Sequence, residues 1–329
     1  MSEPAAASQI VENTVERLLL AAPRGYCAGV HRAVQAVEKA LEIHGPPVYV
    51  RKEIVHNKTV VAQLRAQGAI FVEEETDIPQ GAITVFSAHG IAPSVRANAE
   101  TLKLRTIDAT CPLVTKVHRE ALNFARDGYT IVLIGHEGHE EVEGTMGEAP
   151  ERIVLVQTEQ DVEELVVEDP ERLAYVTQTT LSVEETSAIL ARLKERFPSI
   201  VGPRTDDICY ATTNRQAAVK ELASKCELLL VIGSRNSSNS VRLVEVARDF
   251  GAESYLIDNR DEVREEWLTG KRVVGISSGA SAPESLVEDL VGFFRARGVS
   301  EVSTLRTVRE DVRFMLPKEI REAVPAGSS

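Results

Sequence analysis

Three times along these 329 residues a β-rich apolar run ends in a loop that presents a cysteine and then opens a helix. Leu18–Ala22 breaks at Pro23 and Gly25, presents Cys27, and gives way to a helical pattern near Ala28. Arg105–Ile107 runs into Asp108-Ala-Thr-Cys-Pro112, where Pro112 suits a first helical turn because its missing N–H would be unpaired there anyway. Asp207-Ile-Cys209 leads through Tyr210-Ala-Thr-Thr-Asn214 into a helix over Arg215–Lys225. A thiol at a helix start feels the partial positive charge of unpaired N–H groups, which favours the thiolate, a nucleophile or metal ligand. One such cysteine is commonly just a small buried hydrophobe. The recurrence is what constrains the fold.

Between the cysteines, short strands alternate with helical patterns, which predicts parallel sheets with crossover helices. The first round has strands at Val48–Val50, Ala69–Val72, Ile83–Phe86 and Arg105–Ile107. The second has Thr130–Ile134, Ile153–Val156, Ala174–Gln178 and a weak strand near Ser199–Val201, with a helix introduced by the capping-box pattern Ser182-Val-Glu-Glu185. The third has Leu228–Ile232, Ser254–Ile257 and Arg272–Ile276, and Leu18–Ala22 is free to supply its fourth strand. The cysteines lie 84 and then 98 residues apart, which fits three units of similar size. The expected division is a disordered extension over 1–17, a strand over 18–28 completing the third unit, α/β units over 29–111, 112–207 and 208–317, and a tail over 318–329. The units share element order, not sequence.

Composition narrows the function. A hydrophobic fraction of 43% with 26% charged residues is that of a water-soluble globular chain, and no apolar run approaches the roughly 20 residues a membrane helix needs. Residues 1–17 carry Glu3, Glu12 and Glu16 and no apolar core of a signal peptide, so a cytoplasmic protein is expected. A net charge of −13 argues against nucleic-acid binding, though a local cationic pocket can still take an anion. Four cysteines in such a chain point to metal or catalysis before disulfides.

In parallel α/β sheets functional loops lie at the carboxyl ends of strands. Here those loops are polar: 53–57 with His56, 86–90 with His89, 135–141 with His136, His139 and Glu141, 178–180 with Thr179, 233–239 with Ser237, Ser238 and Asn239, and 277–281 with Ser281. In each round they follow the first and third strands, and the cysteine follows the fourth. Three units facing inward would gather three thiolates beside an anion pocket. Plainer roles compete. Ser281-Ala-Pro-Glu284 is a good helix cap, and the Ser/Asn run at 236–240 is a turn with an N-cap. His31, His44 and His118 fall in helical patterns as surface or packing residues, and Cys226 reads as buried and structural. A closed zinc site wants four ligands, commonly in close pairs, which are missing here. A four-iron cluster with three protein thiolates leaves one iron open. Two rivals stay in view: a zinc-dependent hydrolase of a phosphorylated substrate built on His136 and His139, and an iron–sulfur sensor without turnover.

The motifs Ala22-Pro-Arg-Gly-Tyr-Cys-Ala-Gly-Val30, Asp108-Ala-Thr-Cys-Pro112, Gly138-His-Glu-Glu-Val-Glu-Gly-Thr145, Tyr175-Val-Thr-Gln-Thr-Thr-Leu-Ser182, Ile208-Cys-Tyr-Ala-Thr-Thr-Asn-Arg-Gln216 and Gly233-Ser-Arg-Asn-Ser-Ser-Asn-Ser240 together resemble the 4-hydroxy-3-methylbut-2-enyl diphosphate reductase (LytB) family, the last enzymes of the non-mevalonate isoprenoid pathway. The resemblance runs from about Leu18 to Pro317 in the right order.

It implies a trefoil of three pseudo-threefold-related α/β domains with mostly parallel sheets around a central iron–sulfur cluster. By the same resemblance Cys27, Cys111 and Cys209 would hold a [4Fe–4S] cluster whose fourth iron is open to substrate. His56, His89, Ser237, Asn239 and Ser281 would hold the diphosphate, with Ser238 and His139 close by. Glu141 would relay protons to the substrate hydroxyl and Thr179 would help hold it. The implied reaction is reductive loss of an allylic hydroxyl to give isopentenyl and dimethylallyl diphosphate. Its implied partners are a small allylic diphosphate and a ferredoxin- or flavodoxin-type electron donor, with neither nucleic acid nor membrane.

Overall fold

The structure is a computed structural model that describes residues 14–323. It opens with strand β1 (Arg17–Ala22) and helix α1 (Ala28–His44). The first sheet region follows: β2 (Val48–Arg51), α2 (Lys58–Ala66), β3 (Ala69–Val72), β4 (Ile83–Phe86), α3 (Pro93–Thr101) and β5 (Arg105–Asp108). Then come α4 (Pro112–Arg126), β6 (Thr130–Ile134), α5 (Glu140–Met146), β7 (Ile153–Val156), α6 (Glu159–Glu164), β8 (Leu173–Thr177) and α7 (Val183–Arg196). The last region holds α8 (Tyr210–Ala223), β9 (Leu228–Ile232), α9 (Ser238–Asp249), β10 (Glu253–Ile257), α10 (Glu265–Leu268), β11 (Val273–Ser278), α11 (Glu284–Ala296), β12 (Glu301–Arg306) and α12 (Lys318–Ala323).

These strands form three parallel sheets, in the orders β3-β2-β4-β5, β7-β6-β8 and β10-β9-β11-β1-β12. The α/β class with three parallel sheets is therefore as the sequence predicts. Each sheet runs second–first–third in order of its own round. The fourth place beside the third strand goes to β5, to β1, or, in the second sheet, to Val201, which makes one isolated bridge to Ala174. The order reverses between the first and third strands, so a crevice opens at the carboxyl ends of that pair. All six polar loops singled out in the sequence sit there.

Strand β1 shows why two remote stretches combine. Leu18 and Leu20 face the layer of α11, packing on Val287, Leu290 and Phe294, while Leu19 and Ala21 face the layer of α8 and α9. Side chains of a strand alternate faces, so a run that is apolar throughout can only be satisfied between two layers. The helix after each cysteine packs in the next unit: α1 meets β2 and β4, α4 meets β6 and β8, and α8 meets β1 and β9.

Several expectations need correction. Residues 1–13 lie outside the described residues, but 14–17 do not belong to a disordered extension. Val15 is buried, Thr14 Oγ1 donates to the carbonyls of Leu268 and Lys271, and β1 begins at Arg17. The weak strand near Ser199–Val201 shrinks to that single bridge. Helix α8 starts directly after Cys209 instead of at Arg215. Strand β12 was not foreseen, because an edge strand with mostly exposed side chains leaves no apolar run to read. The stretch expected as a tail forms α12, whose Ile320 is buried in the first unit's core, with residues 324–329 outside the described ones. Among the described residues no helix is long and apolar enough to cross a membrane.

Candidate active site

Cys27, Cys111 and Cys209 are the N-cap residues of α1, α4 and α8. Their backbone N–H groups bind in the same way in all three units. Cys27 donates to Ala280 O at 3.2 Å, Cys111 to Ala88 O at 2.9 Å and Cys209 to Thr179 O at 3.1 Å, each acceptor lying in the loop after the third strand of that unit's sheet. The thiols thereby turn into one cavity with about 650 Å³ of space between its atoms, its open mouth included. Gly29 is required at this point. A Cβ there would lie 2.7 Å from Cys111 Sγ and 3.8 Å from Cys27 Sγ, so only glycine lets the two sulfurs approach. Cys27 Sγ accepts from Val30 N–H and Cys209 Sγ from Thr212 N–H, both at 3.4 Å, as helix starts provide. Burial, together with Cys27, pushes the Cys111 thiol up to about 12 and the Cys209 thiol up to about 11. Three convergent thiols, with Cys111 and Cys209 raised in this way, suit a multiply charged metal centre, which stabilises thiolates that burial alone would not. The donor set fits a cluster held by three cysteines. Cys226 is elsewhere, against Gly275 beneath the third sheet.

Three histidines form one wall of the same cavity. His56 and His89 stack with ring centroids 4.0 Å apart, and His139 meets them edge-on at 5.6 and 6.0 Å. His89 Nδ1 pairs with Glu140 Oε2 at 3.0 Å, and His56 Nδ1 lies 3.3 Å from Glu53 Oε2. Burial opposes charge on His89, but Glu140 outweighs it and raises its pKa. Glu140 is held down at about 2, the charge and hydrogen bond of His89 overcoming burial. Burial and then the charge of His89 lower the pKa of His56; the same causes, with His56 added, push His139 down to about 3. Of the three rings, His89 is the one whose surroundings favour a positive charge. His139 Nδ1 accepts from Glu141 N–H at 3.1 Å as the cap of α5, so its neutral ring turns the Nε2–H donor toward the cavity.

The third unit supplies hydroxyls and an amide. Ser237 caps α9, Ser238 Oγ donates to Thr180 O, and both line the cavity with Asn239. The Asn239 side chain is buried with neither Nδ2 nor Oδ1 hydrogen-bonded, a costly state unless a ligand satisfies it. Ser281 does not cap α11, whose N-cap is Pro283; its hydroxyl donates to His56 O at 2.9 Å and ties the third unit to the first. Ser240 behind this ring is pinched between Gly233 and Gly279, where any Cβ would collide with its hydroxyl.

Glu141, in the first turn of α5, is 5% exposed, and Thr179, in the loop after β8, is 4% exposed. Burial raises the pKa of Glu141 despite hydrogen bonds from Thr179. A carboxyl so placed can hold a proton and deliver it.

All twelve residues singled out in the sequence line this one cavity. His136 does not. Its Nε2 meets Arg242 at 2.9 Å, so the loop pair of a zinc hydrolase is not assembled. His118, taken for a surface or packing residue, is buried against Gly90 and Gly144 with Nδ1 2.7 Å from Glu148. Sequence reasoning missed Glu140, Glu53 and Gln178, which orient the wall and loops. The tight helix cap His139-Glu140 was the available signal for Glu140.

Comparison with known proteins agrees with this geometry. The family model described as "LytB protein" matches residues 18–295. The 4-hydroxy-3-methylbut-2-enyl diphosphate reductase of Leifsonia xyli subsp. xyli is 57% identical over 310 residues, 94% of this chain and 92% of the relative. That of Mycobacterium ulcerans is 57% identical over 325 residues, 98% of each chain. The solved E-1-hydroxy-2-methyl-but-2-enyl-4-diphosphate reductase of Plasmodium falciparum superposes with a TM-score of 0.91 at 38% identity, covering 94% of this chain and 98% of that one. With a family model matched over most of its length, and relatives this similar end to end, the chain belongs to the LytB protein family.

Proposed function

We propose that this chain is a 4-hydroxy-3-methylbut-2-enyl diphosphate reductase, converting that allylic diphosphate to isopentenyl and dimethylallyl diphosphate in the non-mevalonate pathway. The observation that carries the proposal is the meeting of three helix-capping thiols with an anion-type ring and a buried carboxyl in one cavity. Each sheet with its helices would act as one domain, with β1 belonging to the third.

Cys27, Cys111 and Cys209 would hold a [4Fe–4S] cluster, which would supply electrons and, with three protein ligands, a Lewis-acidic iron open to the substrate. Protein groups do the rest. His89, whose positive charge Glu140 favours, attracts the diphosphate, and His56, His139, Asn239 and the serine hydroxyls complete its hydrogen bonds. Charge-assisted bonds of this kind are short and strong. Gripping the diphosphate several atoms from the reacting carbon uses remote binding energy to fix the hydroxyl. Glu141, protonated more readily than an exposed carboxyl, gives the proton that lets the hydroxyl leave as water, and Thr179 aims it. The balance is R–OH plus two electrons and two protons giving R–H and water. A ferredoxin- or flavodoxin-type protein would bring the electrons.

Anaerobic purification tests the reading. A brown protein with roughly four irons and matching acid-labile sulfide per chain, which turns over the allylic diphosphate with a reduced viologen, is expected. A colourless protein without sulfide would overturn the cluster assignment, and a brown one without turnover would favour the sensor.

A further inference from the structure

We infer that the notch between the start of α1 and the segment 307–317 is the docking face for an acidic one-electron carrier protein, and that electrons enter through Cys27. This rests on the proposed reductase activity. Cys27 lines both the central cavity and this outward notch, whereas Cys111 and Cys209 line the central cavity of the two. Tyr26, His31 and Gln35 form one side of the notch and Val312, Arg313 and Phe314 the other. Electron transfer weakens steeply with distance, so the sulfur that reaches both sides is the shortest way in.

The segment 307–317 has no helix or strand, yet it is held to all three cysteine neighbourhoods. Fully buried Arg215 donates to Gly25 O at 2.8 Å and to the Glu310 carboxylate at 3.0 Å, and Asn214 reaches the same carboxylate. Arg32 donates to Met315 O at 2.8 Å and to Thr110 O at 2.9 Å. A strap anchored this way presents a fixed outer surface. That surface is partly apolar and carries an excess of cations, Arg306, Arg309, Arg313 and Lys318 against Glu310 and Asp311 over 306–318, in a chain of net charge −13. Arg309 pairs with Asp311 at 3.2 Å and Lys318 with Glu322 at 3.5 Å, so the cations it leaves without an ion pair among the described residues are Arg306 and Arg313. Glu310 is committed to Arg215, and Arg313 is exposed with no ion pair among the described residues. Val312 is 42% exposed beside it and Met315 72%. Glu38 stands near Tyr26 as the opposing charge. Exposed Arg313 in the notch, with Arg306 on the same segment, beside a small apolar centre fits an acidic protein that must bind briefly and leave, its encounter steered by charge. Each encounter oxidises the carrier by one electron and reduces the protein's centre by one; two encounters and two protons complete R–OH to R–H and water.

The test uses cluster-loaded full chain and an acidic [2Fe–2S] ferredoxin as probe. Binding of the oxidised probe, by calorimetry, should weaken with salt. In Arg309→Glu/Arg313→Glu it should weaken by at least about tenfold. Turnover driven by the reduced probe should fall in parallel, while viologen-driven turnover, iron content and spectrum stay as in the parent. Arg313→Lys should keep most of the binding. Unchanged binding in a brown, viologen-active double variant would overturn the docking face alone. Equal loss with both reductants would make the strap a support of the site and likewise overturn it. A colourless parent protein would overturn the reductase reading and this inference with it.

Discussion

Thr179 grips the Glu141 carboxylate twice, through its backbone N–H at 2.9 Å and its hydroxyl at 2.9 and 3.0 Å. Thr179 also accepts the N–H of Cys209 on its carbonyl, so one residue sets both the proton carrier and a thiol. A shift of this loop would move the two together.

Replacing Glu141 with Gln keeps an acceptor for the Thr179 N–H and removes the titrating proton. Substrate should still bind and iron should still assemble, while turnover falls by about 10²–10⁴, the usual worth of a proton-transfer group. Single-turnover kinetics with an iron assay check this. Near-normal turnover in Glu141→Gln together with an inactive Glu140→Gln would transfer the role to the neighbour.

Cys27→Ser, Cys111→Ser and Cys209→Ser should each lose iron and visible absorbance, and Cys226→Ser should keep both. The first three face one cavity, whereas Cys226 packs against Gly275. Metal analysis of anaerobically purified variants decides it, and a bleached Cys226→Ser beside a brown variant of the others would sink the assignment.

His56→Ala, His89→Ala and Asn239→Ala should bind diphosphate more weakly, each by about 1–3 kcal/mol for a charge-assisted or otherwise unsatisfied bond. Calorimetry with the cluster intact is the measurement. Three unchanged affinities would refute the anion pocket.

Affinity for diphosphate should also depend on pH through His89. Its pKa is raised, so the ring keeps its proton to a higher pH than an ordinary histidine, and binding is lost as pH rises through that raised value. Glu140, held at about 2, stays ionised throughout and sustains the effect. His89→Gln should flatten the profile relative to the parent protein; an unchanged profile would place the titration elsewhere.

Deleting residues 1–12 should leave a folded protein, whereas deleting 1–22 removes β1 from between β11 and β12 and should unfold that unit. Leu18→Ala alone should cost about 2–5 kcal/mol, as for other fully buried leucines. Thermal unfolding measures both. A folded, brown protein lacking 1–22 would show the strand to be dispensable.

Much of this molecule was legible because its signals are local. Strand-length apolar runs, Gly and Pro breaks and helix starts each fit in a short window, and they placed most strands and the three cysteine junctions. The six polar loops followed from one rule of parallel sheets, that loops at the carboxyl ends of strands line the crevice, and the resemblance to the LytB family picked the site residues within them. Beyond that, packing decided. Glu140 and Glu141 are adjacent and chemically alike, but successive helical residues point about 100° apart. The orientation of α5 sends one to His89 and the other to Thr179. Ser281 looked like a helix cap and instead bonds His56 O, 225 residues away in sequence. The edge strand β12, the buried Arg215–Glu310 anchor and the second face of Cys27 left no local trace, since each exists only through a partner remote in the chain. The sequence by itself determined which residues could carry the chemistry; only the tertiary structure decided which neighbour each would face, because that depends on contacts between segments that no short window contains.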